Sequence, residues 1–224
     1  MTTSALRAPA YKEWAAVVQA LLEGEQILDV RKGGIREDGR HFSVQATRLW
    51  LYPTLEHQRP ELLKPAYARW VGADATESGE PPPSVPDATD IAAIDRGRSS
   101  AEKDFVVSGW ADVVGAATTS DPDVLEALDG KVVWSREYVE TRFKWKRRDP
   151  LWILALRVHR LHEPVAVPYR DAYGGCTSWV ELDGLPDDPD SLPSEPVLSD
   201  VAFAAKLKGA AAVIPGGFPP PTVG

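Results

Sequence analysis

Residues 151–167 read LWILALRVHRLHEPVAV and form the longest strand pattern in the chain. Successive side chains of an extended strand point to opposite faces. Leu154, Leu156 and Val158 therefore share one face, and Ile153 and Ala155 share the other. The pattern predicts a strand over the whole of 151–167, and the other elements are placed around it.

Shorter patterns on both sides of this strand alternate between the two periodicities. Strands are predicted at 26–31, 41–44, 48–52, 105–116 and 177–182. Helices are predicted at 10–23, 121–128, 136–145 and 199–212, with a further helix over 56–71 interrupted at Pro60 and Pro65. Gly24 is placed to end the first helix, and Ser135 is placed to cap the helix that follows it. Short strands interleaved with a few helices predict an α+β fold around a small mixed sheet or barrel.

The composition excludes several classes of protein. The chain has 224 residues, of which 43% are hydrophobic and 26% charged, as in ordinary globular proteins. No apolar run approaches the roughly 20 residues of a membrane-spanning helix. The first nine residues lack the apolar stretch of a secretory signal, and the single cysteine, Cys176, cannot form an internal disulfide. We expect a cytoplasmic protein that does not enter membranes.

The net charge of −8 is unevenly distributed along the chain. Two Pro-rich stretches, 72–100 and 181–200, carry −4 and −7, which leaves +3 for the rest. The first stretch has no aromatic residue, so it is predicted to be a disordered loop. The expected organisation is a flexible N-terminus at 1–9 and a single domain at 10–182 interrupted by loop 72–100. An acidic linker, a tail helix and a disordered Pro/Gly-rich end are expected at 183–224.

A first group of basic residues surrounds two glycines, in the sequence RKGGIRE at 31–37. Glycines behind a strand let the backbone approach a ligand closely. Arg31, Lys32 and Arg36 are therefore candidate ligands of a phosphate or another anion. A tight turn with solvated basic side chains is the alternative interpretation.

A second group of basic residues is interleaved with aromatic residues in the segment 131–148. Cations that contact phosphates and flat rings that stack on bases are typical of sites for single strands or flipped bases. The candidate phosphate contacts are Arg142, Lys144 and Lys146, and Tyr138 and Trp145 are the candidate stacking rings. The alternative is a solvated helix face with Trp145 in the core.

Glu56 and His57 follow the strand at 48–52 and are candidates for an acid–base pair. The alternative gives them a structural role, as a helix cap and a hydrogen-bond donor. The four histidines and the cysteine lack the paired spacing of metal ligands. No metal and no cofactor is predicted.

Four motifs in order resemble the uncharacterised bacterial family called domain of unknown function 1802. They are KEWA at 12–15, VRKGGIRE at 30–37, LYPT followed by EHQ within 51–58, and YGGCTSWV at 173–180. The resemblance implies a place in DNA restriction or defence, with a restriction endonuclease as partner. The chain has Gln45-Ala46 where an acid–histidine pair is expected, which argues against a catalytic role at that position.

Residues 24–31, GEQILDVR, resemble the Gly-x-Lys-x-x-Glu-x-Arg signature of ASCH domains, which belong to the PUA-like β-barrel superfamily. This resemblance implies a small barrel that holds RNA or a modified base in a cleft between helix and strand. Gln26 stands at the lysine position, and an amide cannot replace an amine as base or nucleophile. The resemblance therefore implies binding more readily than hydrolysis.

Three hypotheses follow from these observations. The first is a nucleic-acid-binding module, for a modified or flipped base, in which the strand ending at Arg31 and the segment near Trp145 border one groove. The second is a small hydrolase that acts on a nucleotide-like substrate through Glu56 and His57. The third is an accessory subunit of a nuclease.

Overall fold

The computed structural model describes residues 8–32, 42–56, 58–68, 70, 104–144, 149–175 and 177–224, without the side chains of 142–144. The strands are β1 (Ala10–Trp14), β2 (Leu28–Arg31), β3 (Arg48–Thr54), β4 (Phe105–Thr119), β5 (Leu151–Val167), β6 (Trp179–Val180) and β7 (Ser194–Pro196). The helices are α1 (Ala15–Leu22), α2 (Pro65–Ala68), α3 (Pro122–Ala127), α4 (Arg136–Lys144) and α5 (Asp200–Ala211). The chain is therefore α+β, as predicted.

All seven strands belong to one sheet built around the long antiparallel pair β4 and β5. The strand order is β2-β5-β4-β3-β1-β6. One edge of β5 pairs with β2 at residues 152–155 and with β7 at residues 159–161. Only β1 and β3 run parallel to each other among the described pairs. The β4–β5 register shifts beside Gly109, where a Cβ would lie 2.5 Å from the carbonyl oxygen of His159. Only glycine fits at this close approach.

The predicted helix at 10–23 is wrong in its first third, because residues 10–14 form β1 and the helix begins at Ala15. Ala10 and Tyr11 are fully buried and pair with β3, so tertiary pairing overrides the helical pattern there. That pattern in fact begins only at Trp14. Gly24 ends the helix with φ of +69°, as predicted.

The other predicted elements are reproduced to different extents. The strand at 151–167 is confirmed at both ends, whereas the strand at 105–116 continues to Thr119. The predicted strand at 41–44 is reduced to an isolated bridge between Val44 and Val223. The interrupted helix becomes a 3-10 turn at Pro60–Leu62 followed by α2. The predicted loop at 72–100 lies outside the described residues.

The residues after 182 pack onto the sheet. β7 pairs with β5, and Ser199 caps α5 by accepting a hydrogen bond from the N–H of Ala202 at 3.3 Å. In the Pro/Gly-rich end, the carbonyl of Pro219 accepts a hydrogen bond from the N–H of Ala116 at 3.0 Å. The expectation of a disordered end is therefore wrong, because main-chain hydrogen bonds and apolar contacts fix it. The boundaries of the single domain at 10 and 182 stay a prediction.

The sheet is not closed by main-chain pairing among the described residues, since β2 and β6 stand at its two edges. Closure into a barrel stays a prediction. Among the helices that the structure describes, none is both long enough and apolar enough to cross a membrane.

Candidate nucleic-acid interface

A cluster of polar side chains links the edge strand β2 to β1, with which β2 forms no main-chain ladder. We call this cluster the polar seam. The polar seam consists of Tyr11, Glu13, Asp29, Arg31 and Ser178. The hydroxyl of Tyr11 donates to Asp29, and the guanidinium of Arg31 donates to Glu13. Each pair joins a residue of β1 to a residue of β2. The seam thus connects strands that share no ladder.

Arg31 is the most connected residue of the polar seam. Its Nε donates to Ser178 Oγ at 3.0 Å, its Nη2 donates to the carbonyl of Lys12 at 2.5 Å, and its guanidinium lies 5.0 Å from the ring centroid of Tyr11. Burial lowers the pKa of Arg31, the carboxylates of Glu13 and Asp29 raise it, and the net shift is upward. Arg31 is therefore a permanent cation with 16% of its side chain exposed.

The other half of the polar seam is a buried hydroxyl and a buried carboxylate. Burial raises the pKa of Tyr11 well above its usual value, so the hydroxyl stays protonated. It donates a hydrogen bond to Asp29. Asp29 is fully buried, and its second oxygen, Oδ1, has no hydrogen-bond partner within the described part of the chain.

Lys12 points away from the polar seam, because it alternates with Tyr11 and Glu13 along β1. Its Nζ donates to Glu56 Oε2 at 2.6 Å and to the carbonyls of Tyr173 and Gly175, each at 3.0 Å. Of the predicted acid–base pair, Glu56 is thus held in an ion pair and His57 lies outside the described residues. Sequence reasoning missed Lys12, whose only signal was its position in the KEWA motif.

Three aromatic rings lie directly beyond the polar seam. Tyr138 stacks on Trp134 with 3.8 Å between ring centroids, and Trp14 contacts Trp134 at 5.0 Å and Tyr138 at 6.2 Å. Tyr138 is only 4% exposed and one of its faces is covered. In this conformation its ring cannot stack on a base, which corrects the predicted role of Tyr138.

The aromatic rings fix the start of α4 beside Arg31. Ser135 caps this helix as predicted, because its Oγ accepts a hydrogen bond from the N–H of Tyr138 at 3.2 Å. The ring of Tyr138 lies 6.2 Å from that of Trp14, which follows Glu13, the partner of Arg31. Arg142 and Lys144 belong to the last turn of α4.

The remaining predicted binding residues are only partly placed by the structure. Lys32 follows β2 and is 4% exposed, so little of its side chain surface is available to a ligand. Arg36, Trp145 and Lys146 lie outside the described residues. The part of the chain that is described contains no group of three or more potential metal ligands.

Gln26, at the lysine position of the ASCH signature, ties β2 to the segment before Trp134. Its Oε1 accepts a hydrogen bond from the N–H of Val133 at 2.8 Å, and its Nε2 donates to the carbonyl of Leu28 at 2.9 Å. Gln26 is 2% exposed. Both ends of this amide are therefore used in holding the fold together.

The polar seam and the KEWA and YGGCTSWV motifs lie within the part of the chain that matches a family model. The model of the Domain of unknown function (DUF1802) matches residues 10–208. The chain belongs to the DUF1802 family. The match extends into α5, so the residues after 182 that pack onto the sheet are largely part of the DUF1802 region. No curated protein matches the chain.

Among solved structures, this DUF1802 protein is similar to crystal structures of ASCH from Zymomonas mobilis. A single-residue variant of that protein aligns with a TM-score of 0.37 and 14% identity, over 90% of this chain and 94% of that chain. The unsubstituted protein aligns with a TM-score of 0.36 and 13% identity over the same shares.

Proposed function

We propose that this DUF1802 protein binds nucleic acid through two basic segments of its sequence, 31–36 and 142–146. The first segment continues from Arg31 through Lys32 to Arg36. The second begins at Arg142 in α4 and continues through Lys146. Together they supply cations for the phosphates of one bound strand.

The observation that carries the proposal is the position of Tyr138. Its ring packs against Trp14, and Trp14 directly follows Glu13, which holds Arg31. Lys144 lies six residues after Tyr138 in the same helix, about 9 Å along the axis at the usual rise. This chain of contacts links Arg31 to α4 and supports the proposal that the two basic segments border one groove.

The contacts of Arg31 and Tyr138 lead us to assign these two residues positioning roles. Arg31 is held by protein groups on several sides, so we assign it the positioning of the groove in addition to phosphate contact. Tyr138 positions α4, and Trp145 remains the proposed stacking ring. A modified base as ligand and a restriction endonuclease as partner stay predictions from the family resemblance.

Fluorescence anisotropy with labelled oligonucleotides tests the proposal. Single-stranded RNA, single-stranded DNA and duplex DNA are titrated with the full chain between about 50 mM and 200 mM salt. We expect binding that weakens with salt. The double variant Arg142→Ala/Lys144→Ala should bind about tenfold or more weakly, with a salt slope lower by about 0.7 for each lost contact to a single strand.

A matched double variant in α5, Lys206→Ala/Lys208→Ala, removes the same charge from another helix and serves as the control. We expect it to bind as the unchanged protein does. Thermal unfolding of both variants confirms that each is folded. The proposal fails if none of the three nucleic acids binds in a salt-dependent manner, or if both double variants lose affinity equally.

A further inference from the structure

Helices α3 and α4 enclose an open cleft of about 870 Å³, which we call the helix cleft. Its floor is apolar and is formed by Leu125, Val132 and Trp134, all of which belong to the main hydrophobic core. The volume lies in the range of sites for small ligands. None of the residues assigned to nucleic-acid binding is among the described residues that line it.

The rim of the helix cleft is predominantly acidic. The carboxylates on it belong to Asp123, Glu126, Asp129 and Glu140. Arg136 is the only cation among the described lining residues, and it is paired with Glu140 at 3.1 Å and Glu126 at 3.7 Å. Asp129 is paired with Lys64 at 3.2 Å. The rim therefore keeps a negative charge, which disfavours phosphates and favours a cation.

The floor of the helix cleft carries an unsatisfied donor. Trp134 is 1% exposed, and its indole N–H has no hydrogen-bond partner within the described part of the chain. Buried polar groups in proteins are normally paired, so an orphaned donor in a cleft wall requires an explanation. The N–H itself is covered by protein atoms, so a ligand acceptor would have to insert between the floor side chains to pair with it.

We propose that the helix cleft binds a small organic cation. The apolar body of the ligand covers Leu125 and Val132, and its positively charged nitrogen lies beside the rim carboxylates, Asp123 foremost. An oxygen at the opposite end accepts from Trp134. This binding is separate from that of nucleic acid, because the ligand carries the opposite charge and occupies other residues.

Three compounds with the same phenol body and different charges test the proposal. They are tyramine, which is a cation, tyrosol, which is neutral, and 3-(4-hydroxyphenyl)propanoate, which is an anion. Each is titrated into ¹⁵N-labelled full chain, and the indole N–H signal of Trp134 is followed after its assignment with Trp134→Phe. We expect tyramine to bind about fivefold more tightly than tyrosol, the effect of an exposed ion pair, and the anion to bind most weakly.

Neutralising the rim separates charge recognition from packing. In Asp123→Asn/Glu140→Gln, the affinity for tyrosol should stay unchanged. The affinity for tyramine should fall to that same value. The control Glu163→Gln/Glu195→Gln removes two exposed carboxylates elsewhere on the surface and should keep the preference for tyramine. The variant Val139→Trp fills the cleft from α4 and should abolish the binding of all three compounds.

The outcomes are distinct. The proposal is overturned if no compound shifts the Trp134 signal at millimolar concentration, or if the anion binds as tightly as the cation. It is also overturned if rim neutralisation leaves the preference for tyramine intact. If Val139→Trp does not fold, as judged by its thermal transition, the rim variants alone decide. Loss of nucleic-acid binding in Arg142→Ala/Lys144→Ala does not bear on these results.

Discussion

For Arg31, the sequence predicted a contact with an anion but not the protein groups that hold the side chain. A cation next to two glycines indicates an anion site, and this contact remains our prediction. The partners of Arg31 were not predictable, since Glu13 lies 18 residues away and Ser178 lies 147 residues away. They meet because the sheet brings together β1 and β2, which lie near opposite ends of its strand order. No local sequence pattern predicts this arrangement.

The ion pair between Glu13 and Arg31 should show strong coupling in a double-mutant cycle. Each single variant, Glu13→Leu or Arg31→Met, removes one charge of a largely buried ion pair, at a cost of about 3–5 kcal/mol. The double variant should lose much less than the sum of the two, because both charges of the pair are removed together. Urea unfolding gives the free energies of unfolding.

The exposed pair of Arg59 and Glu61, with 47% and 42% of their side chains exposed, provides the matched control. Its cycle to alanine should give a coupling below about 1 kcal/mol, as water screens the charges. Additive losses at Glu13 and Arg31 would contradict the role that we assign to the polar seam.

At the scale of elements, the predictions succeeded where the signal is local. The strand over 151–167 and the cap at Ser135 were both predicted from neighbouring residues, because alternation and capping depend only on them. The strand β1 was missed, because its pairing partner β3 begins 38 residues after it and no feature within 10–14 distinguishes it from a first helical turn.

Removal of the cap should destabilise α4 and with it the position of its basic end. Ser135→Ala loses the hydrogen bond to the N–H of Tyr138 and should lower the free energy of unfolding by about 1 kcal/mol. Ser135→Asp keeps an acceptor and should restore most of the loss. Thermal and urea unfolding measure both, with Ser120→Ala at an exposed serine as the control.

An unchanged stability in Ser135→Ala, or an equal loss in Ser120→Ala, would show that the observed hydrogen bond contributes nothing. Such a result would also weaken the argument that the start of α4 is fixed beside Arg31.

At the scale of the whole molecule, composition was a poor guide to the chain end. Proline and glycine predict disorder on average, but single contacts decide whether a segment packs. Phe218 lies over Gly115 so closely that a Cβ on that glycine would be 2.6 Å from the Cβ of Phe218. Closure into a barrel stays a prediction, because it depends on how two distant edges of the sheet meet.

Deletion of residues 215–224 should destabilise the protein by about 1–2 kcal/mol, part of the value for full burial of a large apolar side chain, because it removes the partly buried Phe218. The N–H of Ala116 loses its acceptor, Pro219, and should exchange faster with solvent. Urea unfolding and hydrogen exchange measure the two effects. Phe218→Ala should reproduce the loss of stability, while the N–H of Ala116 stays protected from exchange. An unchanged exchange rate of this N–H after the deletion would refute the packing described for the chain end.

The polar seam has a consequence for how the molecule deforms. A ladder between strands separates only when a whole row of main-chain bonds breaks, whereas this junction is held by a few side chains that can exchange partners one at a time. Within the described part of the chain, the spacing of β1 and β2 is therefore set by side-chain contacts and not by main-chain pairing. Because Trp14 follows Glu13 in the chain and packs on Tyr138, the same few side chains also determine where α4 lies against the sheet.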